Sequence, residues 1–102
     1  MNTPNPELIS LLNQETGKLG WADVERHFAR DVVVKIEAGL DLVEVAAVMV
    51  EDDKPSFIRW METGQVARAT LDDALRWQSA QAEFWAIVIA PWLLVQEIGV
   101  QQ

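Results

Sequence analysis

The sequence predicts an α+β protein: a small sheet built around a buried C-terminal strand, with about five helices packed on it. Three observations carry that expectation. The stretch from Phe84 to Val95 is an uncharged apolar block whose centre, Ile87-Val88-Ile89, is β-branched and is bounded by Pro91. That length and branching fit a strand buried on both faces. Val32 to Glu37 alternates, with Val34 and Ile36 on one side and Lys35 and Glu37 on the other, as in a strand with one face wet at its far end. Asp41 followed three residues later by Glu44 is a capping-box pattern, with Leu40 and Val45 placed as the hydrophobic staple, and it opens an apolar helix.

Taken in order, the chain begins its first helix at Pro6. Asn5 stands where an N-cap is needed, Pro6 fits the first helical position, and Glu7 lies near the positive end of the dipole. Leu8, Ile9, Leu11 and Leu12 form its apolar stripe, Gly17 offers a stop, and Gly20 separates it from the next element. Trp21, Val24 and Phe28 then share a helical face, giving a short second helix over 21–30. After the strand, Ala38-Gly39 turns the chain into the helix from Leu42 to Val50. Between those two residues only Glu44 is polar, so this helix needs cover on several sides, from its own sheet and neighbours or from a second subunit.

Asp53-Lys54-Pro55-Ser56 restarts the chain as a helix in which Phe57, Ile58, Trp60 and Met61 supply the apolar side and Gly64 the stop. Gln65 to Ala69 is short and weakly alternating, consistent with another strand. Thr70 is a suitable N-cap, with Asp72 and Asp73 as first-turn carboxylates of a helix through Trp77. A single helix from Leu71 to Ala90 is the rival reading of the following stretch, weakened by Gln78, Ser79 and Gln81 in its middle. Pro91 cannot donate to a ladder and so marks a bend, beyond which Trp92 to Val95 is extended.

The chain has 102 residues, enough for one domain spanning 1–102 with a single core. It has no cysteine, which removes disulfides, thiol nucleophiles and thiolate metal sites together. Sixteen acidic residues against eight Lys and Arg give a net charge of -8, which opposes binding to a phosphate backbone. Such acidity favours solubility and permits a basic partner. The first residues show no basic region followed by an apolar core, and the C-terminal block falls short of the ~20 residues a span requires. A soluble cytoplasmic protein with no nucleic-acid or membrane partner is therefore expected.

The order of Leu40 to Ala46, Glu51-Asp52-Asp53, Trp60-Met61 with Gly64, Trp77, Trp85 and the close Ala90 to Gln96 resembles a family of short bacterial proteins known only as a domain of unknown function. The resemblance covers about Leu11 to Glu97. It implies a bacterial source and an uncharacterised role, and brings no catalytic residue or cofactor with it.

Candidate chemistry is sparse. His27 has Asp23 four residues before it and Asp31 four after, a spacing that on one helix would offer a metal one imidazole and two carboxylates. Asp31 falls near the expected helix end, and Arg26 and Arg30 oppose a cation, so an ordinary solvated face is the better reading and no metal site is expected. Glu51, Asp52 and Asp53 sit where a helix dipole disfavours them; Asp53 can cap the next helix, which leaves two acids as a solvated corner or as a divalent-ion or partner site. Arg59, Arg68 and Arg76 can pair with such acids, hold an anion, or stack on Trp60 or Trp77. Ser10, Ser56 and Ser79 have no nucleophile-elbow context, and there is no phosphate loop. No cofactor is expected, and an enzyme is less favoured than a binding protein.

Five Trp and no Tyr suit a core or an interface alike. Two functions remain. The first is a self-associating protein–protein interaction module, a homodimer with room for a basic partner. The second is a small-molecule or divalent-ion site made by Trp, Arg and the acidic corner, with weak enzymatic activity at most. The surface expected to carry either consists of Glu51, Asp52, Asp53, Arg59, Trp60, Arg76, Trp77, Trp85 and Trp92. An extended apolar surface would favour the first, and a pocket where Trp and Arg converge the second.

Overall fold

In the computed structural model, which describes residues 6–98, five helices flank a mixed five-stranded sheet. The elements are α1 (Pro6–Glu15), β1 (Gly17–Gly20), α2 (Trp21–Ala29), β2 (Val33–Ile36), α3 (Leu42–Val50), α4 (Lys54–Glu62), β3 (Val66–Arg68), α5 (Leu71–Ala80), β4 (Glu83–Ile89) and β5 (Trp92–Glu97). Strand order is β1-β4-β5-β2-β3. β5 is central, antiparallel to β4 with Ile87 opposite Leu94, and parallel to β2 with Val34 opposite Leu94. The expected α+β class is what forms.

Alternation along the strands divides the interior into two cores, one on each face. Val34, Ile36, Val66, Ile87 and Leu94 point to the side of α1, α3 and α4. Val33, Phe84, Ala86, Leu93 and Val95 point to the side of α2 and α5, where Trp21 and Trp77 pack. Trp77 stands edge-on to Phe84 at 5.0 Å and tilted against Trp21 at 6.0 Å. The indole N–H groups of Trp21 and Trp77 are buried without a hydrogen-bond partner among the described residues.

Several sequence expectations are met. β4 begins at Glu83 after the left-handed Gln81, so the single helix from Leu71 to Ala90 does not form. A hairpin turn at Ala90-Pro91, with a cis bond between the two, joins β4 to β5. The Asp41 carboxylate caps α3, accepting from the N–H of Val43 at 2.9 Å and of Glu44 at 3.4 Å. Leu40 and Val45 meet in the same core. The expected Asn5 cap lies outside the described residues.

Other expectations are corrected. Among the described residues Glu44 does not return the hydrogen bond that would complete a capping box; the complete one is at Thr70 and Asp73. The helix that begins at Leu71 runs on to Ala80, beyond Trp77. Gly17 to Gly20 is a strand rather than a stop and a spacer, because β4 supplies an edge on which Lys18 pairs with Trp85 and Leu19 with Phe84. β4 is buried on both faces over part of its length, with Ile87 in one core and Phe84 and Ala86 in the other, but Trp85 is 45% and Val88 61% exposed. α3, by contrast, is wrapped by its own chain, with α1 and α4 on its flanks and β4 and β5 beneath, and six of its nine residues are buried.

Candidate functional site

Trp92 follows directly on the hairpin turn, and as the first residue of β5 its side chain is directed to the α3–α4 side of the sheet, half-buried. Two strands away, Arg68 ends β3 opposite Val34. Its guanidinium crosses to lie over the Trp92 ring, 5.1 Å from the centroid, a cation–π contact. Asp31 secures it from the loop before β2, pairing with it at 3.5 Å and accepting through its backbone carbonyl at 3.3 Å. Met49 of α3 and Phe57 and Met61 of α4 line a cavity together with the same indole.

Two cavities open on this arrangement, of about 300 and 320 Å³, and they share Met49, Phe57 and Trp92 as lining. They are two compartments of one cleft between α3–α4 and the sheet. The first is bounded at its far end by Asp52, Asp53 and Lys54, and the second by Val34, Val66 and Arg68. The walls between those charged ends are Met, Phe, Trp and aliphatic side chains, a mixture that adapts to the shape of an apolar guest.

The acidic corner contributes less charge to this cleft than its sequence suggests. Asp53 is the N-cap of α4, accepting from the Ser56 N–H at 3.4 Å and the Ser56 hydroxyl at 3.0 Å. Asp52, left-handed at φ 58°, faces Lys54 at 3.9 Å with both side chains exposed. Among the described residues no three His, Asp or Glu side chains are placed to hold a metal ion. The His27 cluster is dispersed: the Asp23 carboxylate turns back to the Gly20 N–H at 3.4 Å, and Asp31, past the helix end, is taken by Arg68.

The strongest electrostatic feature lies elsewhere. Asp73 is buried beneath Lys35, whose ammonium is 2.7 Å away, and Arg76, at 3.0 Å; the N–H and hydroxyl of Thr70 also donate to it, each at 2.9 Å. Burial by itself would raise its pKa, but the hydrogen bonds from Lys35 and Thr70 and the Lys35 charge outweigh it and lower the value from 3.8 to about 2. Arg76 continues to Glu97 at 3.3 Å and stacks on Trp77 at 5.7 Å, as the sequence allowed. This network consumes its own charges, which makes it structural.

The expected surface is therefore not one surface. Asp52, Asp53 and Trp92 share the cleft, while Arg76 and Trp77 border a different cavity of about 290 Å³ at the other end of the sheet. Trp77 is only 1% exposed, a core residue rather than a surface one, because α5 lays it on Phe84. Trp85 is exposed on β4; Glu51, Arg59 and Trp60 line none of these cavities, Trp60 packing instead on the α3 core. The sequence offered Arg68 as a pair for acids, a holder of an anion or a stack on Trp60 or Trp77, and not as a partner of Trp92. Its partnership with Trp92 depends on β2 lying between β3 and β5, which no local spacing reveals.

Comparison with known proteins places this geometry in a wider set. A family model described as a protein of unknown function, DUF2288, matches residues 7–97. The NMR solution structure of PA1075 from Pseudomonas aeruginosa is similar at 31% identity and a TM-score of 0.81, covering 100% of this chain and 94% of that one. No curated protein matches.

Proposed function

The chain belongs to the DUF2288 family, whose description assigns no activity, and from that premise we propose that it is a small binding protein whose site is the Trp92 cleft. The occupant is a flat, largely apolar organic molecule held between Phe57, Met61 and the indole. The observation that supports this reading is the convergence of Arg68 on Trp92 between two cavities of about 300 Å³ each, within the size range of small-molecule pockets. Arg68 both closes one end and fixes the indole plane, so the guest meets a wall already set in place.

A neutral probe isolates this site from charge effects elsewhere. N-phenyl-1-naphthylamine should brighten on binding with a Kd on the order of 10 µM, a range ordinary for a ligand of that size. Phe57→Ala and Met61→Glu, each verified as folded by circular dichroism, should weaken it about tenfold. Absence of saturable binding, or binding untouched by both substitutions, defeats the proposal.

A second reading has its own observation. α4 buries none of its residues fully, and Ile58 and Met61 are 52% and 48% exposed on it, with Val50 48% exposed at the end of α3. An apolar patch of this kind suits a second copy of the chain, closed by two-fold pairing. The protein would then act as a self-associating interaction module whose acidic corner receives a basic partner.

A further inference from the structure

We propose a second binding site on the opposite, α2 side of the sheet, taking a small molecule with an apolar body and a single carboxylate. A cavity of about 310 Å³ lies between the last turn of α2 and the β4–β5 hairpin, walled by Val32, Val88, Ala90, Pro91, Leu93 and Trp92, the last of which also lines the cleft on the other side. The charged or titratable groups lining it are His27 and Arg30.

Arg30 is one of three cations without an ion pair among the described residues. Acids outnumber Lys and Arg by sixteen to eight, and Lys18, Lys35, Lys54, Arg68 and Arg76 have carboxylate partners; of the remaining Arg26, Arg30 and Arg59, it is Arg30 that lines this cavity. Arg30 has none among the described residues, although Asp31 is its neighbour in the chain; Asp31 turns away to Arg68. His27 likewise carries no side-chain hydrogen bond or ion pair among them. The carbonyl end of α2 offsets part of the Arg30 charge, but it leaves the guanidinium donors free.

An apolar hollow with one guanidinium and one imidazole lining it has the donor set for a carboxylate. The apolar walls supply the rest of the binding by excluding water from the body of the ligand. Divalent anions fit less well, because the carbonyl end of α2 offsets part of the positive charge of the two donors. Neutral ligands would leave the guanidinium unmatched.

Octanoate is the probe, titrated calorimetrically against the full chain with octan-1-ol as the neutral counterpart. Octanoate should bind at one site per chain and octanol about tenfold more weakly. Arg30→Gln should weaken octanoate about tenfold, the loss expected for one charge-assisted contact; both donors are on a helix end, so the fold survives. Phe57→Ala, which acts on the α3–α4 cleft and lines no part of this cavity, should leave octanoate binding unchanged, so the two sites fail independently although both touch Trp92. Equal binding of octanol and octanoate, or a loss with Arg68→Gln in place of Arg30→Gln, would overturn the assignment.

Discussion

A single buried carboxylate, Asp73, joins three parts of the molecule: it closes the cap of α5, holds Lys35 on β2 and anchors Arg76, which reaches Glu97 on β5. Its folded pKa, about 2, lies below the ordinary 3.8. A depressed carboxylate stabilises the fold above the unfolded value and loses that contribution as pH falls through the folded one. Stability should therefore drop by about 2 kcal/mol between pH 4 and 2, and Asp73→Asn, followed by urea denaturation, should flatten that part of the profile. Asp41→Ala should cost ~1 kcal/mol by removing the α3 cap, and an unchanged midpoint would refute the role. His27 should bind zinc no tighter than micromolar in calorimetry, because Asp23 and Asp31 are committed to Gly20 and Arg68. The Asp41 and Asp53 caps are legible in sequence since a cap needs only residues three apart. The Asp73 network is not, because its lysine comes from a strand far earlier in the chain.

At the level of elements, those with their own signal are read correctly and those made by a neighbour are missed. α3 announces itself by cap and hydropathy. β1 has two glycines and only the side chains of Lys18 and Leu19, too few for any periodicity, and becomes a strand only because β4 offers it an edge. The exposure of Trp85 and Val88 is hidden for the same reason: β-branching marks a strand but does not say where the covering helices stop. α3 and α4 have equal length and opposite anchorage, six buried residues against none. Amide hydrogens of α4 should therefore exchange well before those of α3, with protection in α3 approaching that of global unfolding. Equal protection in the two helices would show that α4 is held by more than its half-buried face, and a second copy of the chain would be the natural source.

For the molecule as a whole, the case for a dimer has moved. The apolar surplus that α3 promised is absorbed by α1, α4 and the sheet, and the large apolar side chains that remain exposed are spread over Leu11 on α1, Val50 at the end of α3, Ile58 and Met61 on α4, Leu71 and Leu75 on α5, and Trp85 and Val88 on β4. Val48 is only 8% exposed, so Val48→Arg would break the core and say nothing of association. Ile58→Arg is the better test, its side chain being half in solvent. Light scattering at tens of micromolar should give twice the chain mass for the wild type and the chain mass for Ile58→Arg, with unchanged circular dichroism. A wild-type monomer would refute self-association. The candidate cleft was legible only in its parts, Trp92 and the acidic pair, because what assembles it is strand order. That order also bears on synthesis. β5 is the strand that joins β1 and β4 to β2 and β3, yet it is made after all of them. A chain cut after Pro91 holds two sheet fragments with no shared strand, so it should stay protease-sensitive, and the domain should close in one step only when Trp92 to Glu97 is present.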